Sequence, residues 1–286
     1  MFAEAPNGAV YYTVGTRVFV VNGNSKPVVA TALATPIIAL AVNSTDFFVQ
    51  TGLTVFEYSR HTDAYAGHQW KLSSPVRPIT SAGLLAVGST LWSWTDWETD
   101  GSGAQYATVS RISTSSTHAK VVSKSNAYPG DVAADSAGLY YQTINRHLTN
   151  GYIVRSSPSG STRRHVDVNI GVPMALAAGR VDLLAKHGNG HTYVDSYRAT
   201  TLARLGSRRV FASDQNIAGT SAGLLVLREP CATLTCLHAT VGVLSPVTGK
   251  VSGAVRVAHA YLLLPGPAPV VITNVSGELY LVRLRG

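Results

Sequence analysis

The chain has 286 residues and a formal net charge of +8, and charged residues make up only 13% of it, against roughly 25% in an average globular protein. The basic balance favours a protein, acidic glycan or other polyanion as partner, and Arg-rich usage from a GC-rich coding sequence is the alternative reason for it. The basic residues, 17 Arg and 6 Lys, form no dense run and match no nucleic-acid-binding module, so nucleic acid is not expected. No segment reaches the roughly 18 consecutive apolar residues of a membrane span.

One pattern recurs seven times along the chain: a short apolar strand, a small turn and a stronger strand. Its clearest copies are Leu40–Thr45 and Leu85–Thr90, each followed by an aromatic-rich run. In most copies a second alternating strand and a weaker outer strand follow, and no segment keeps a helical period over about ten residues. The turns, spaced by 36 to 47 residues, are marked by Asn7, Asn43, Gly88, Asp135, Gly179, Thr220 and Gly266.

Evenly spaced units of about 43 residues with four strands each predict an all-β fold, a single seven-bladed β-propeller over residues 1–286. Six or eight blades are the alternatives, and the N-terminal segment is the candidate fourth strand of the last blade. The pattern resembles that of bacterial quinoprotein-like and lactonase-like propellers over the whole length, without a motif diagnostic of one family. The predicted blades span residues 1–35, 36–74, 75–126, 127–168, 169–212, 213–257 and 258–286.

Four consecutive blades, the third to the sixth, carry unusual loops between their second and third strands. In a propeller these loops share one face, and loops on a rigid scaffold often carry function. Because strand side chains alternate, Trp97 faces the side opposite to Trp92 and Trp94, so at least one of the three packs between blades and the others could stack on a ligand ring. The predicted ligand-binding residues are Trp92, Trp94, Trp97, Arg146, His147, His187, His191 and His238.

Two weaker patterns concern charged residues. Asp96, Glu98 and Asp100 have the spacing of the oxygen ligands in a calcium loop, although the distal bidentate carboxylate is missing and a solvated acidic turn is the alternative. No other cofactor is predicted. Arginine pairs at 163–164 and 208–209 occupy equivalent places in two blades and predict either a basic strip or scattered rim charges.

The segment Gly219–Gly223 matches the Gly-x-Ser-x-Gly nucleophile elbow of hydrolases. That motif needs a strand-to-helix turn, whereas here it occupies the first hairpin turn of a repeat and no helical pattern follows. The sequence therefore predicts a β-hairpin and no catalytic serine.

Cys231 and Cys236 are separated by four residues in an apparent hairpin loop, which favours a disulfide over free thiols or a metal site. A disulfide indicates an oxidising compartment. The first residues lack the charged and apolar regions of a signal peptide, so an exported form would be a mature or trimmed chain. The expected location is extracellular or in the cell envelope, with the cytoplasm as the alternative.

These patterns favour a non-catalytic, monomeric propeller that binds or scaffolds a ligand or protein and is exported from a bacterium. The first alternative is a lyase or hydrolase with a histidine or metal site in the axial funnel. The second is a sensor or assembly domain of a larger membrane protein. The fold alone does not distinguish them, because a propeller does not specify a chemistry.

Overall fold

A computed structural model describes residues 1–23, 25–73, 79–98, 105–113, 116, 119–125, 132–144, 151–157, 159–166, 172–212, 214–220, 223–228, 238–264, 270–275 and 278–283. Within these ranges the chain forms 27 β-strands and no helix, and so none that could cross a membrane. This all-β content follows from the alternating apolar runs and the turn residues between them.

The strands form seven antiparallel sheets, each built from strands that are consecutive in the chain. The first three sheets are β1 (Phe2–Glu4), β2 (Val10–Val14), β3 (Arg17–Val21), β4 (Val28–Ala32); β5 (Ala39–Val42), β6 (Asp46–Thr51), β7 (Thr54–Ser59), β8 (Tyr65–Lys71); and β9 (Ile79–Val87), β10 (Thr90–Glu98), β11 (Gln105–Ser113), β12 (Ala119–Ser125). The fourth and fifth are β13 (Val132–Asp135), β14 (Gly138–Ile144), β15 (Gly151–Ser157), β16 (Gly160–Val166); and β17 (Met174–Ala177), β18 (Arg180–Lys186), β19 (Thr192–Arg198), β20 (Arg204–Arg209). The last two are β21 (Asp214–Thr220), β22 (Gly223–Arg228), β23 (His238–Leu244), β24 (Val251–Ala258); and β25 (Ala260–Leu264), β26 (Val270–Val275), β27 (Glu278–Arg283).

Seven consecutive sheets of this kind are the blades of a seven-bladed β-propeller, which confirms the predicted fold class. Six blades have four strands, and the seventh has three within the described residues. Thr220 pairs with Gly223 across the turn from β21 to β22, so the Gly-x-Ser-x-Gly segment is a hairpin as predicted.

The N-terminal strand lies in the first blade. Phe2 pairs with Tyr12 and Glu4 with Val10, because a tight turn joins the two strands, with the Ala5 amide donating to the Ala9 carbonyl at 2.8 Å. The expectation that this segment completes the last blade is therefore wrong.

The chain divides into two compact units, and the fourth sheet contributes residues to both. The first unit comprises Met1–Pro129, Ala134–Thr149 and Val154–Thr162. In it, successive residues of β6 serve two different cores, as expected for a strand buried on both faces. The ring of Phe47 packs toward the first sheet, 5.3 Å from that of Tyr11, while Phe48 packs with Leu84 and Leu91 of the third sheet.

The second unit comprises Gly130–Ala133, Asn150–Ile153 and Arg163–Gly286. The same alternation is seen in β22, where Val226 packs with Leu184 and Val194 of the fifth sheet, and Leu225 packs with Val271 of the seventh. Both β6 and β22 thus bury apolar side chains on their two faces, and a polar side chain buried inside one of these sheets needs a partner of its own.

Gly219 lies where β21, the first strand of the sixth sheet, comes close to β17, the first strand of the fifth sheet. A Cβ atom at this position would lie 1.9 Å from the carbonyl oxygen of Leu176, in β17. Only a glycine lets β21 come this close to β17, because the clash would be with backbone, which cannot rotate away.

Candidate functional site

A cavity of about 530 Å³ lies between β16, the last strand of the fourth sheet, and the fifth sheet. Its volume falls within the range of small-ligand sites, roughly 300–1,000 Å³. All of its lining residues belong to the second compact unit. They are Arg163, Arg164, His165, Val166, His187, Asp195, Tyr197 and Arg204.

The alternation of β19 places the cavity side chains on one face. Asp195 and Tyr197 point toward β16, whereas Val194, on the opposite face of β19, packs toward the sixth sheet. In β20, Arg204 pairs with Tyr197 and therefore shares its face. A register shift between Ser196 and Tyr197 sets this pairing.

Among the described residues, Asp195 is the one carboxylate that lines the cavity, and two side chains, His187 and Arg204, hold it. Its Oδ2 atom lies 2.8 Å from Nε2 of His187, and its Oδ1 atom accepts a hydrogen bond of 3.3 Å from Nη2 of Arg204. The side chain of Asp195 is 2% exposed, against 23% for His187 and 47% for Arg204. A buried carboxylate is thus engaged through both oxygens, which offsets the cost of removing it from water.

The turn from β18 to β19 fixes the imidazole of His187. The His187 amide donates to the His191 carbonyl at 3.0 Å, and the Gly190 amide donates to the His187 carbonyl at 2.9 Å. Gly190 has a φ of 79°, a left-handed conformation that favours glycine. The His187 ring stacks on Tyr193 at 4.2 Å, and the Tyr193 hydroxyl accepts a hydrogen bond of 2.8 Å from Asn189. Ring stacking and the bond to Asp195 together set the orientation of the imidazole.

The opposite wall is formed by exposed residues of β16. The guanidinium of Arg163 lies 5.4 Å from the centre of the Tyr152 ring, and the His165 ring meets Tyr152 edge-on at 5.5 Å. Arg163 and His165 therefore share one face of β16, with the alternate residue Arg164 between them. Arg163, Arg164 and His165 are solvent-exposed, and Val166 is buried at the end of the strand.

The cavity is electropositive. Among the described lining residues, three guanidinium groups and one carboxylate give a charge of +2 (three minus one), histidines not counted. Arginine stays charged at all physiological pH values, and Asp195 balances only one of the three positive charges. The cavity can therefore bind an anion. Its donors are suited to carboxylate or phosphate oxygens.

The structure places the predicted aromatic residues in β10, in the first unit. Trp92 is fully buried, and the indole of Trp94 covers Gly83 in the neighbouring strand, where a Cβ atom would meet it at 1.9 Å. Trp97 pairs with Tyr106 along the backbone, and its side chain lies outside the described part of the structure. Of the three, Trp94 is the partly exposed one whose side chain is described.

The predicted calcium ligands begin in a strand. Asp96 lies inside β10, paired with Ser81 and Ala107, because β10 continues to Glu98 instead of ending in a loop. Asp100 lies outside the described residues, as does the side chain of Glu98. No group of three His, Cys, Asp or Glu side chains that could hold a metal occurs in the described ranges, and calcium binding stays a prediction.

Asp96 has an unusual environment for a carboxyl group. It is 1% exposed, and neither of its oxygens has a hydrogen-bond partner within the described part of the chain. Burial raises its pKa to about 7, and Ser81 on the adjacent strand lowers it by a smaller amount without reaching hydrogen-bond geometry.

The predicted histidines are dispersed. His187 lines the cavity, His191 lies exposed in the turn that precedes β19, and His238 begins β23 of the sixth sheet. Arg146, His147, Cys231 and Cys236 lie outside the described residues. Among the predicted ligand-binding set, His187 alone is shown to line the cavity, and the predicted basic pair Arg163 and Arg164 joins it there.

Sequence reasoning missed five of the described cavity residues, namely His165, Val166, Asp195, Tyr197 and Arg204. The signal for Asp195 was present in Tyr193–Tyr197, where a charged residue occupies a position of the strand pattern that should be buried. A buried carboxylate in a regular strand indicates a basic or hydrogen-bonding partner, which is to be sought on the neighbouring strands.

No protein-family model matches the sequence, and the search of curated proteins finds no match. Solved structures do match over nearly the whole chain. A chain of the mitotic checkpoint complex has a TM-score of 0.67 at 12% identity, with 100% of this chain and 89% of that chain covered. A chain of hydrazine synthase from Kuenenia stuttgartiensis has a TM-score of 0.66 at 12% identity, covering 99% and 94%.

A third similar structure is Hsv2 from Kluyvelomyces marxianus, with a TM-score of 0.57 at 8% identity and coverage of 99% and 96%. At such low identity these similarities show the propeller fold alone.

Proposed function

We propose that this chain is a non-catalytic binding propeller that holds an acidic segment of a partner protein in the cavity between β16 and the fifth sheet. One observation carries the proposal: three arginines line the cavity, and the one carboxylate among its described lining residues is already engaged by His187 and Arg204. An electropositive recess of this kind attracts acidic ligands and speeds their association.

A binding role fits the way the ionisable groups are used. The His187 imidazole is stacked on Tyr193 and bonded to Asp195, so its contacts orient the wall of a rigid recess. The mitotic checkpoint complex, one of the structures with a similar fold, is an assembly of proteins, and a scaffolding role here would be of the same general kind.

A protein partner is favoured over a long polyanion by the distribution of charge. Three arginines line one recess, whereas a duplex or a long glycan is held by a row of basic groups along an extended surface. An acidic peptide segment of a few residues matches a cavity of about 530 Å³.

The proposal is tested by fluorescence anisotropy with a fluorescein-labelled Glu-rich peptide at low salt. The wild-type chain is expected to bind it, and binding is expected to weaken at least tenfold in the Arg163→Gln/Arg164→Gln double variant and to fall with added salt. Arg256→Gln, which changes an exposed arginine on β24, is the matched control and is expected to bind as the wild type does. Absence of binding, or equal loss in both variants, would overturn the proposal.

Export is the second part of the proposed function, and it depends on Cys231 and Cys236. Their spacing favours a disulfide, which persists in an oxidising compartment. Mass spectrometry of a non-reduced digest is expected to show the two cysteines in one linked peptide when the protein is isolated from an oxidising compartment. Free thiols in that material would contradict an extracellular or envelope location based on this pair.

A further inference from the structure

We infer that the cavity recognises a doubly charged phosphoryl group carried on the partner's acidic segment, and not carboxylates alone. This inference rests on the proposed function and specifies its ligand. It comes from the number, the positions and the geometry of the cations around the cavity.

The charge of the cavity matches a dianion. The three arginines and one aspartate among the described lining residues give a charge of +2. A phosphoserine or phosphothreonine carries about −1.5 to −2 at pH 7, whereas a glutamate side chain carries −1. A phosphoryl group therefore neutralises the cavity, and a single carboxylate leaves excess positive charge.

The guanidinium groups come from two walls of the cavity. Arg163 and Arg164 lie on β16, and Arg204 lies on β20 of the next sheet. A carboxylate has two oxygens in one plane and is satisfied by one bidentate arginine. A phosphoryl group has three terminal oxygens that point in different directions, so it can accept hydrogen bonds from both walls together.

Asp195 prepares the inner wall for this ligand. Its Oδ1 atom accepts a hydrogen bond of 3.3 Å from Nη2 of Arg204, and its Oδ2 atom bonds the His187 imidazole at 2.8 Å. Both side chains, His187 and Arg204, are therefore oriented by a side chain that is 2% exposed, and less freedom is lost when an anion arrives. The remaining N–H groups of Arg204 are free to face the cavity because one guanidinium carries five donors.

The decisive experiment uses four fluorescein-labelled peptides that differ at one central residue within the same Glu-rich sequence: phosphoserine, O-sulfoserine, glutamate and serine. The phosphoserine peptide is expected to bind at least tenfold more tightly than the glutamate peptide. The sulfoserine peptide has the same tetrahedral shape with a single negative charge, and it is expected to bind like the glutamate peptide if charge matching decides the preference.

Two variants locate the preference. Arg204→Gln and Arg163→Gln/Arg164→Gln are each expected to reduce the phosphoserine-to-glutamate ratio to less than threefold, while Arg256→Gln leaves it unchanged. Thermal unfolding of each variant shows whether it is folded, and inorganic phosphate as competitor is expected to displace the phosphoserine peptide from the wild type.

The outcomes separate the two proposals. Equal binding of the phosphoserine and glutamate peptides overturns the phosphoryl inference and leaves the acidic-partner proposal standing. Binding of no peptide overturns both. Tighter binding of an RNA oligonucleotide or of vesicles containing phosphorylated lipid than of the phosphoserine peptide overturns the assignment to a protein partner.

Discussion

Asp96 of the third blade and Asp195 of the fifth are both buried in a middle strand, yet the two side chains have opposite surroundings. Asp96 in β10 and Asp195 in β19 are both 1% exposed. Asp195 contacts His187 and Arg204 through both oxygens, whereas the oxygens of Asp96 have no hydrogen-bond partner among the described residues. Equal burial therefore gives an ion-paired carboxylate in one blade and a group with a pKa of about 7 in the other.

The two buried carboxyl groups have different consequences for the protein. At Asp195, the partners lie at the edge of a cavity, so the carboxylate orients cations that a ligand can reach. At Asp96, burial without a partner favours the neutral form, so the group responds to pH within the physiological range. The first arrangement builds a binding wall, and the second makes stability depend on protonation.

The largest expected effect is that of Asp96→Asn at pH 8. At that pH the buried carboxyl of wild-type Asp96 is charged, and burial of this charge destabilises the folded state. A neutral amide of the same shape removes that destabilisation, so the free energy of unfolding is expected to rise by about 3 kcal/mol. Urea unfolding measures it, with Asp46→Asn in β6 as a control of the same chemistry at a partly exposed site. A loss of stability would show that Asp96 has a partner that holds its charge.

Wild type and Asp96→Asn are also expected to differ in how the free energy of unfolding depends on pH. Because the pKa of Asp96 in the folded chain lies above the usual value of 3.8, the folded state binds more protons than the unfolded state between about pH 4 and 7. The contribution of this group is fully present below pH 4, is lost as pH rises to about 7, and is constant above it. Asp96→Asn is expected to flatten that slope, and an unchanged slope would assign it to other groups.

Asp195→Asn is expected to have the opposite sign. Removal of the carboxylate charge weakens two charge-assisted hydrogen bonds, so the free energy of unfolding is expected to fall by about 2 kcal/mol. The measurement is again urea unfolding at pH 8. If both Asn variants shifted stability in the same direction, the contrast between the two blades would be refuted.

The smallest expected effect belongs to Arg204→Gln. Its side chain is about half exposed, so its pair with Asp195 contributes less than about 1 kcal/mol to the free energy of unfolding. A double-mutant cycle with Asp195→Asn measures the coupling, which is expected to lie between about 0.3 and 1 kcal/mol. A coupling of zero would assign the hold on Asp195 to His187 alone.

Much of the fold was predictable because it is periodic. Turn residues such as Asn43, Gly88 and Gly179 recur at nearly constant spacing, and each lies between the first and second strands of its sheet in the structure. The N-terminal strand was misplaced because a three-residue strand carries too little pattern to specify its partner. The turn Ala5–Ala9 decides that pairing through backbone hydrogen bonds.

The candidate site was predictable only in part. His187 stood out because its loop interrupts the repeat, and Arg163 and Arg164 because an arginine pair recurs at an equivalent place in the next blade, whereas Asp195 and Arg204 gave no such signal in their strands. Their meeting depends on the register shift after Ser196, which moves Arg204 opposite Tyr197. A bulge of this kind is decided by the packing of whole sheets, and the local sequence does not announce it.

Trp92 is a case in which a sequence pattern suggested a binding residue and the structure buries the side chain. A run of tryptophans before an unusual loop suggests a ligand platform, but the strand continues and one indole is fully buried. Large aromatic side chains fill the wide space between neighbouring sheets, and this need competes with any binding role.

The approach of β21 to β17 also constrains how this sequence can drift over evolution. Gly219 meets the carbonyl oxygen of Leu176, an atom that every amino acid supplies. Position 176 is therefore free, as far as this contact is concerned, to exchange one side chain for another, while position 219 is not. A lineage of such proteins would keep a glycine beside a variable neighbour, and the retained residue would record a distance between two backbones and not a chemical role.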